Sequence, residues 1–228
     1  MQSIAENIWV FDGDAVSFFT LPFTTRMTII RLSTGDLWVH SPIKLNEEVK
    51  SQIAKLGVVK YIIAPNHLHH LFLANWKLSY PDASYYGTDE VIKKRTDIKF
   101  NHSLNQEQDW PWSIDIDQVL FTGSPLMEEC VFFHKSSTVL IVTDLIENFT
   151  GDDFNCCQRV IAKGAGVIAP NGKMPLDWRL SFMFSKSRAR AHMSVIYGWQ
   201  PEVVIMSHGV IIEQDAKAFL KRSFSWLV

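Results

Sequence analysis

A chain of 228 residues with 47% hydrophobic and 20% charged residues is long enough to bury a sizeable core and too apolar to be disordered. Its formal net charge of -2 gives it no electrostatic claim on DNA, RNA or acidic membranes. Its three cysteines, Cys130, Cys156 and Cys157, form no C-x-x-C pair, and an odd count argues against a disulfide framework, so free thiols in a reducing cytosol are expected.

The chain opens without a basic or apolar leader stretch, and its apolar runs, such as Val139–Val142, fall far short of the ~20 residues of a transmembrane helix. The expectation is one soluble, cytoplasmic domain spanning residues 1–228. Residues 8–11 (Ile-Trp-Val-Phe) read as a strand, and residues 27–32 and 37–40 flank a Ser33-Thr34-Gly35-Asp36 turn as a hairpin. Asn46 is placed to cap a helix over 47–56, with Val49, Ile53 and Leu56 on one face and Gly57 at its stop. The apolar run Val58–Ala64 suits a buried strand. It ends at Pro65-Asn66, immediately before His67-Leu68-His69-His70.

Thr88 is placed to cap a short helix over 89–95. A second hairpin follows, 130–133 and 138–142 around Ser136-Ser137, ending at Thr143-Asp144. Residues 154–162 read as helical, 167–169 are too short to assign, and Lys186–Gly198 has helical spacing. Val203–Met206 is a further buried strand running into Ser207-His208-Gly209, and an amphipathic helix over 214–226 closes the chain. Hairpins mixed with strand–helix–strand crossovers favour two packed sheets flanked by helices, an α+β architecture.

Three strand ends thus deliver His67, His69 and His70, then Asp144, then His208. Strand C-termini are where open sheets usually place their sites, and His and Asp are the usual ligands of catalytic zinc, iron or manganese. Read singly, each has a plainer role. The histidines can hydrogen-bond main chain in a loop, Asp144 can cap a turn, and His208-Gly209 can be a turn.

These residues resemble the metallo-β-lactamase superfamily, in which a buried strand ends in Thr-His-x-His-x-Asp-His. The corresponding stretch here is Ala64-Pro65-Asn66-His67-Leu68-His69-His70. The later family strand ending in Gly-Asp is matched by Leu140-Ile141-Val142-Thr143-Asp144, and the strand running into Gly-His-Gly by Val204-Ile205-Met206-Ser207-His208-Gly209. The order agrees from Ile8 to the last helix, and 131–145 looks like a bacterial metallo-hydrolase-like branch. The resemblance implies an αββα sandwich of two mixed sheets flanked by helices. It also implies that the second metal site falls on His69, His70, Asp144 and His208, with His69 in place of a carboxylate. Of the first site only His67 survives, the other positions holding Pro65 and Ser124, so one metal is expected rather than two. A register shifted by two residues would instead make His67 and His69 the leading pair.

The chemistry so implied is a metal-bound hydroxide attacking a small ester, thioester, amide or phosphoester, with His69 and Asp144 as the catalytic residues and zinc, iron or manganese as the metal. A non-catalytic ligand-binding protein on the same fold, holding no metal, is the alternative. An electron-transfer or oxygenase-type iron protein is weaker, because such sites need both metal positions. The partner is a small molecule rather than nucleic acid or a membrane, and a homo-oligomer is left open. His40 is read as supporting the motif from a strand end, and His134 as structural. His102 and His192 have no assignable partner. Lys186, Arg188 and Arg190 are read as a solvated helix face before an anion grip, and Trp110-Pro111-Trp112 as core packing before a pocket lining. No Gly-x-Gly-x-x-Gly, P-loop or nucleophile elbow is present.

Overall fold

The β-branched and aromatic runs of the first third build a sheet wider than one hairpin. The computed structural model describes residues 1–18, 21–152 and 154–227. The chain divides into two units, Met1–Asp14 with Thr25–Asp115 and Ala15–Thr24 with Ile116–Val228. The first unit rests on a seven-stranded mixed sheet whose spatial order is the chain order. Its strands are β1 (Gln2–Ala5), β2 (Ile8–Phe18), β3 (Leu21–Arg31), β4 (Asp36–His40), β5 (Val58–Ala64), β6 (Ser84–Gly87) and β7 (His102–Ser103). The distal ends of β2 and β3 belong to the second unit.

β3 and β4 pair antiparallel across the turn foreseen at 33–36, where Gly35 adopts φ +87°. From β4 onward the pairs are parallel. A parallel step needs a crossover. It is supplied by α1 (Glu47–Ala54) between β4 and β5, α2 (Leu73–Ser79) between β5 and β6, and α3 (Asp89–Lys94) between β6 and β7. In register, Ile29, Val39, Ile62 and Tyr85 stand side by side on one face. They pack with Ile53 of α1, Trp76 of α2 and Val91 of α3 in one buried cluster. Trp38 pairs with Tyr61 on the other face, and an aromatic group of Trp38, Tyr61, Tyr86, Trp110 and Trp112 forms there. Of the Trp-Pro-Trp motif, Trp112 is fully buried in the core, Trp110 is half-buried and Pro111 is exposed.

Asn46 caps α1 by accepting from the Val49 N–H at 2.8 Å. The helix ends at Ala54, two residues before its expected limit, and Gly57 takes φ +152°. Thr88 holds the N-cap position of α3 with extended backbone, but its hydroxyl makes no capping bond.

The second unit carries a four-stranded mixed sheet in the order β11-β10-β9-β8, from β8 (Ile116–Phe121), β9 (Glu129–His134), β10 (Val139–Val142) and β11 (Val203–Met206). β9 and β10 are buried along their whole length, which is why they read as unbroken apolar runs. β10 and β11 pair parallel, Val142 beside Met206, so Asp144 and His208 follow neighbouring strand ends. The crossover between them contains α4 (Cys156–Ala165), α5 (Leu176–Ser181) and α6 (Lys186–Gly198), and α7 (Ala216–Ser223) with a 3-10 turn (Ser225–Leu227) ends the chain.

α4 begins at Cys156 rather than 154 because Asn155 and Gln158 form a reciprocal capping box, and it ends where Gly166 turns left-handed at φ +81°. The last helix starts at Ala216 because Asp215 sits at φ +54°. Among the described residues no helix is long and apolar enough to cross a membrane.

Asn148 ties the loops after β10 and β11. Its N–H donates to His208 O at 3.1 Å, its carbonyl accepts from Val210 N–H at 2.8 Å, and its side chain bonds Val210 O and Gly172 N. A Cβ on Gly209 would stand 2.1 Å from Asn148 O, at φ +98°. Gly209→Ala should therefore lower unfolding stability by about 3 kcal/mol, measured by denaturant titration. A value within the noise of wild type would show that the loop gives way freely.

Candidate metal centre

The histidine cluster is set by an Asx turn. After β5, Asn66 Oδ1 accepts from the N–H groups of Leu68 at 2.9 Å and His69 at 3.3 Å. An Asn here takes up main-chain donors that a strand end leaves unpaired. The three histidines then acquire different partners within the first unit. His69 Nδ1 is hydrogen-bonded to the Ser41 hydroxyl. Ser41 follows β4 at φ +54° and donates its N–H to Ile63 O at 3.0 Å. With Nδ1 so engaged, Nε2 is the nitrogen His69 has for a metal. His67 Nδ1 lies 2.7 Å from Glu90 Oε2 of α3. The main-chain carbonyl of His70 accepts from Arg95, itself clamped on Asp97.

His70 Nδ1 is buried without a hydrogen bond. Burial first, then the Lys94 and Arg95 charges, pushes its imidazole down to about 4. A neutral imidazole with an unshared lone pair is the form a metal requires. His40, buried and stacked on Trp38 at 5.5 Å, is held well below the usual imidazole range by burial and then by His69.

In the second unit, Asp144 is placed by a buried carboxylate. Glu129 opens β9 and is fully buried. Its oxygens accept from three successive main-chain donors, Thr143 N–H at 2.7 Å, Asp144 N–H at 2.8 Å and Leu145 N–H at 3.1 Å. Consecutive N–H groups converging on one anion form a nest, and this one fixes the turn that carries Asp144.

His208 Nδ1 lies 2.6 Å from Thr24 O. A carbonyl only accepts, so Nδ1 carries the proton and a neutral ring has its lone pair on Nε2. That Nε2 lies 3.2 Å from Asp144 Oδ1, both side chains being 5% exposed. Phe23 meets the His208 ring edge-on at 5.2 Å, and Phe149 stacks on it at 6.2 Å, an apolar rim. An imidazole nitrogen and a carboxylate oxygen facing each other are both groups that can bind a metal cation. Glu147 lies in the same unit, and burial, then Asp144, Asp177 and Glu129, push its carboxyl well above the usual range.

The structure thus joins Asp144 to His208, and gives His67, His69 and His70 separate partners in Glu90, Ser41 and Arg95. Ser124, where the resemblance would put a first-site histidine, accepts from Leu126 N–H at 2.9 Å and from the Ser181 hydroxyl at 2.7 Å in a turn. His134 is buried in β9, His102 stacks on Tyr86 at 6.0 Å, and His192 Nε2 meets the Thr122 hydroxyl at 3.2 Å.

Sequence reasoning passed over Glu129, Ser41, Glu90 and Asn148. Glu129 left one trace, a charge heading an apolar run. The others are ordinary loop and helix residues whose roles depend on distant partners.

Glu129→Gln should cost about 2–3 kcal/mol, because an amide NH₂ would face main-chain donors. A melt unchanged from wild type would remove the nest from the account. In metal-free protein the unfolded chain should protonate His70 near pH 6.5 and the folded chain only near 4. The folded-state pKa is depressed, so the stability linked to His70 is present above about 6.5 and lost as pH falls toward 4. His70→Gln should flatten thermal stability across that window; an unaltered slope would contradict the assignment.

The family model described as "Domain of unknown function (DUF4336)" matches residues 5–159. Comparison with curated protein sequences finds no match. Among solved structures, the DIM-1 metallo-β-lactamase is similar at 14% identity and a TM-score of 0.65, covering 99% of this chain and 95% of that one. A metallo-β-lactamase from Hirschia baltica gives 13% and 0.64, covering 99% and 96%. A putative diflavin flavoprotein fragment from Nostoc sp. PCC 7120 gives 11% and 0.68, covering 99% and 94%. Identities this low establish the shared fold, two mixed sheets flanked by helices. The chain has the metallo-β-lactamase-like fold and belongs to the family described as Domain of unknown function (DUF4336).

Proposed function

We propose that this chain is a metal-dependent hydrolase with one divalent metal, zinc before iron or manganese, held by Asp144 and His208, with His69 as the further ligand that the motif resemblance implies. The observation that carries the reading is the buried convergence of His208 Nε2 and Asp144 Oδ1, with the His208 proton fixed on the opposite nitrogen. The donor set, two imidazoles and one carboxylate, suits zinc and other borderline divalent ions and leaves positions open. When bound, such a metal supplies Lewis acidity and acidifies a water.

The chain's own residues do the orienting. Ser41 fixes the ring of His69, the Thr24 carbonyl fixes that of His208, and Glu129 holds the turn of Asp144. His70, neutral above about pH 4, has a nitrogen free to serve as a further ligand or as a base. His67, paired with Glu90, is assigned to substrate contact rather than to the metal. The substrate is a small ester, thioester, amide or phosphoester in the cytoplasm.

A second reading, a non-catalytic ligand-binding protein, draws on Ser124, whose hydroxyl is taken up by a turn. Elemental mass spectrometry on protein purified without a metal-carrying tag separates the two. The expected result is about one metal per chain, lost in Asp144→Ala and in His208→Ala with the fold retained by circular dichroism. Ser41→Ala should weaken metal affinity about 10–100-fold. Metal-free protein that stays so after reconstitution, and that hydrolyses nothing on an ester and phosphoester panel, would sink the hydrolase in favour of the binding protein.

A further inference from the structure

α5 and the turn after it carry apolar side chains both buried and exposed. Trp178 and Phe182, four residues apart, are buried, and Phe182 packs on Phe121 at 5.6 Å. On the opposite side Leu176 is 42% exposed, Leu180 57%, Met183 60% and Phe184 94%. Leu176 and Leu180, one helical turn apart, share one side of α5, and Met183 and Phe184 lie in the turn that leaves it. On α4, Val160 and Ile161 are also exposed. Large apolar side chains gathered in one stretch are ordinarily covered, and these four are exposed.

Charge says what covers it. Between residues 156 and 188 the sequence has six Lys or Arg and one acid, Asp177, a net +5 in a chain of net -2. Arg159, Lys163 and Arg188 are exposed. Arg179 and Lys186 donate to the neutral carbonyls of Ala165 and Trp226, which leaves their charges uncancelled. A second copy of the chain would meet this face with the same face and bring like charges together in an apolar contact. An anionic bilayer surface has both complements, acyl chains for protruding Phe184, Met183 and Leu180 and headgroups for the flanking cations. It needs no shaped pocket, which suits a side chain as fully exposed as Phe184.

We infer that the exposed side of α5 and the turn after it, with the basic residues of α4 and the start of α6, docks on an anionic membrane surface. The test is co-sedimentation of the full chain with vesicles of phosphatidylcholine alone and of phosphatidylcholine mixed with phosphatidylglycerol. Binding is expected to the mixed vesicles only, weakening as salt rises. The double variant Met183→Ser, Phe184→Ser should bind at least about tenfold more weakly, and Lys163→Glu with Arg188→Glu should lose most of the salt dependence. Circular dichroism checks that each variant folds; the altered side chains are exposed. Three results would overturn the inference. One is no binding to mixed vesicles at low salt. Another is equal binding of the serine variant. The third is a concentration-dependent dimer by light scattering that the serine variant abolishes while vesicles stay unbound, which would assign the face to a second copy.

Discussion

A carboxylate removed from water must replace its solvation with hydrogen bonds or become protonated. Glu129 meets that condition with three main-chain donors in a row, and much of the second unit follows. The donors come from the turn leaving β10, so the turn cannot relax without exposing a buried charge to an unpaired environment. Asp144 therefore leaves the strand end in a fixed direction. The parallel pairing of β10 with β11 brings His208 to the neighbouring strand end, and Asn148 ties the two loops. Position at this site is a property of main-chain bonding; the ligands inherit it.

The electrostatics of the same region suit a cation. Asp144 and His208 converge, Glu129 is buried close by in sequence and bonding, and Glu147 is driven toward its protonated form by burial and by these charges. A proton on His208 would answer one of these demands. A divalent metal answers more of them, because it matches both the histidine lone pair and the carboxylate and offsets the surrounding negative charge.

The apolar runs at β10 and β11 were legible because buried strands read as uninterrupted hydrophobic sequence, and that at β5 because its last three residues, Ile62–Ala64, are buried although Val58 and Lys60 are exposed. The same strands end at His67-Leu68-His69-His70, Asp144 and His208, so the candidate residues were legible with them. Other elements were not. β1, β6, β7, β8, α2 and α5 are short or amphipathic without strong period, and tertiary pairing decides them. The partners of the histidines were equally hidden. Ser41 and Glu90 lie 28 and 23 residues away from theirs, and no local pattern encodes a contact at that separation. The helix ends shifted by a residue or two wherever a cap or a left-handed residue intervened, as Asn155 and Asp215 do.

Net charge is a sum over the whole chain. A chain near neutrality has no overall pull toward an acidic surface, yet the sum conceals a segment of net +5 within a chain of net -2. Charge acts over about a Debye length, ~8–10 Å in physiological salt, so the local segment and not the whole chain determines what α4 and α5 attract. The same helix reaches back to the candidate site, because Asp177 in the first turn of α5 is one of the charges acting on Glu147.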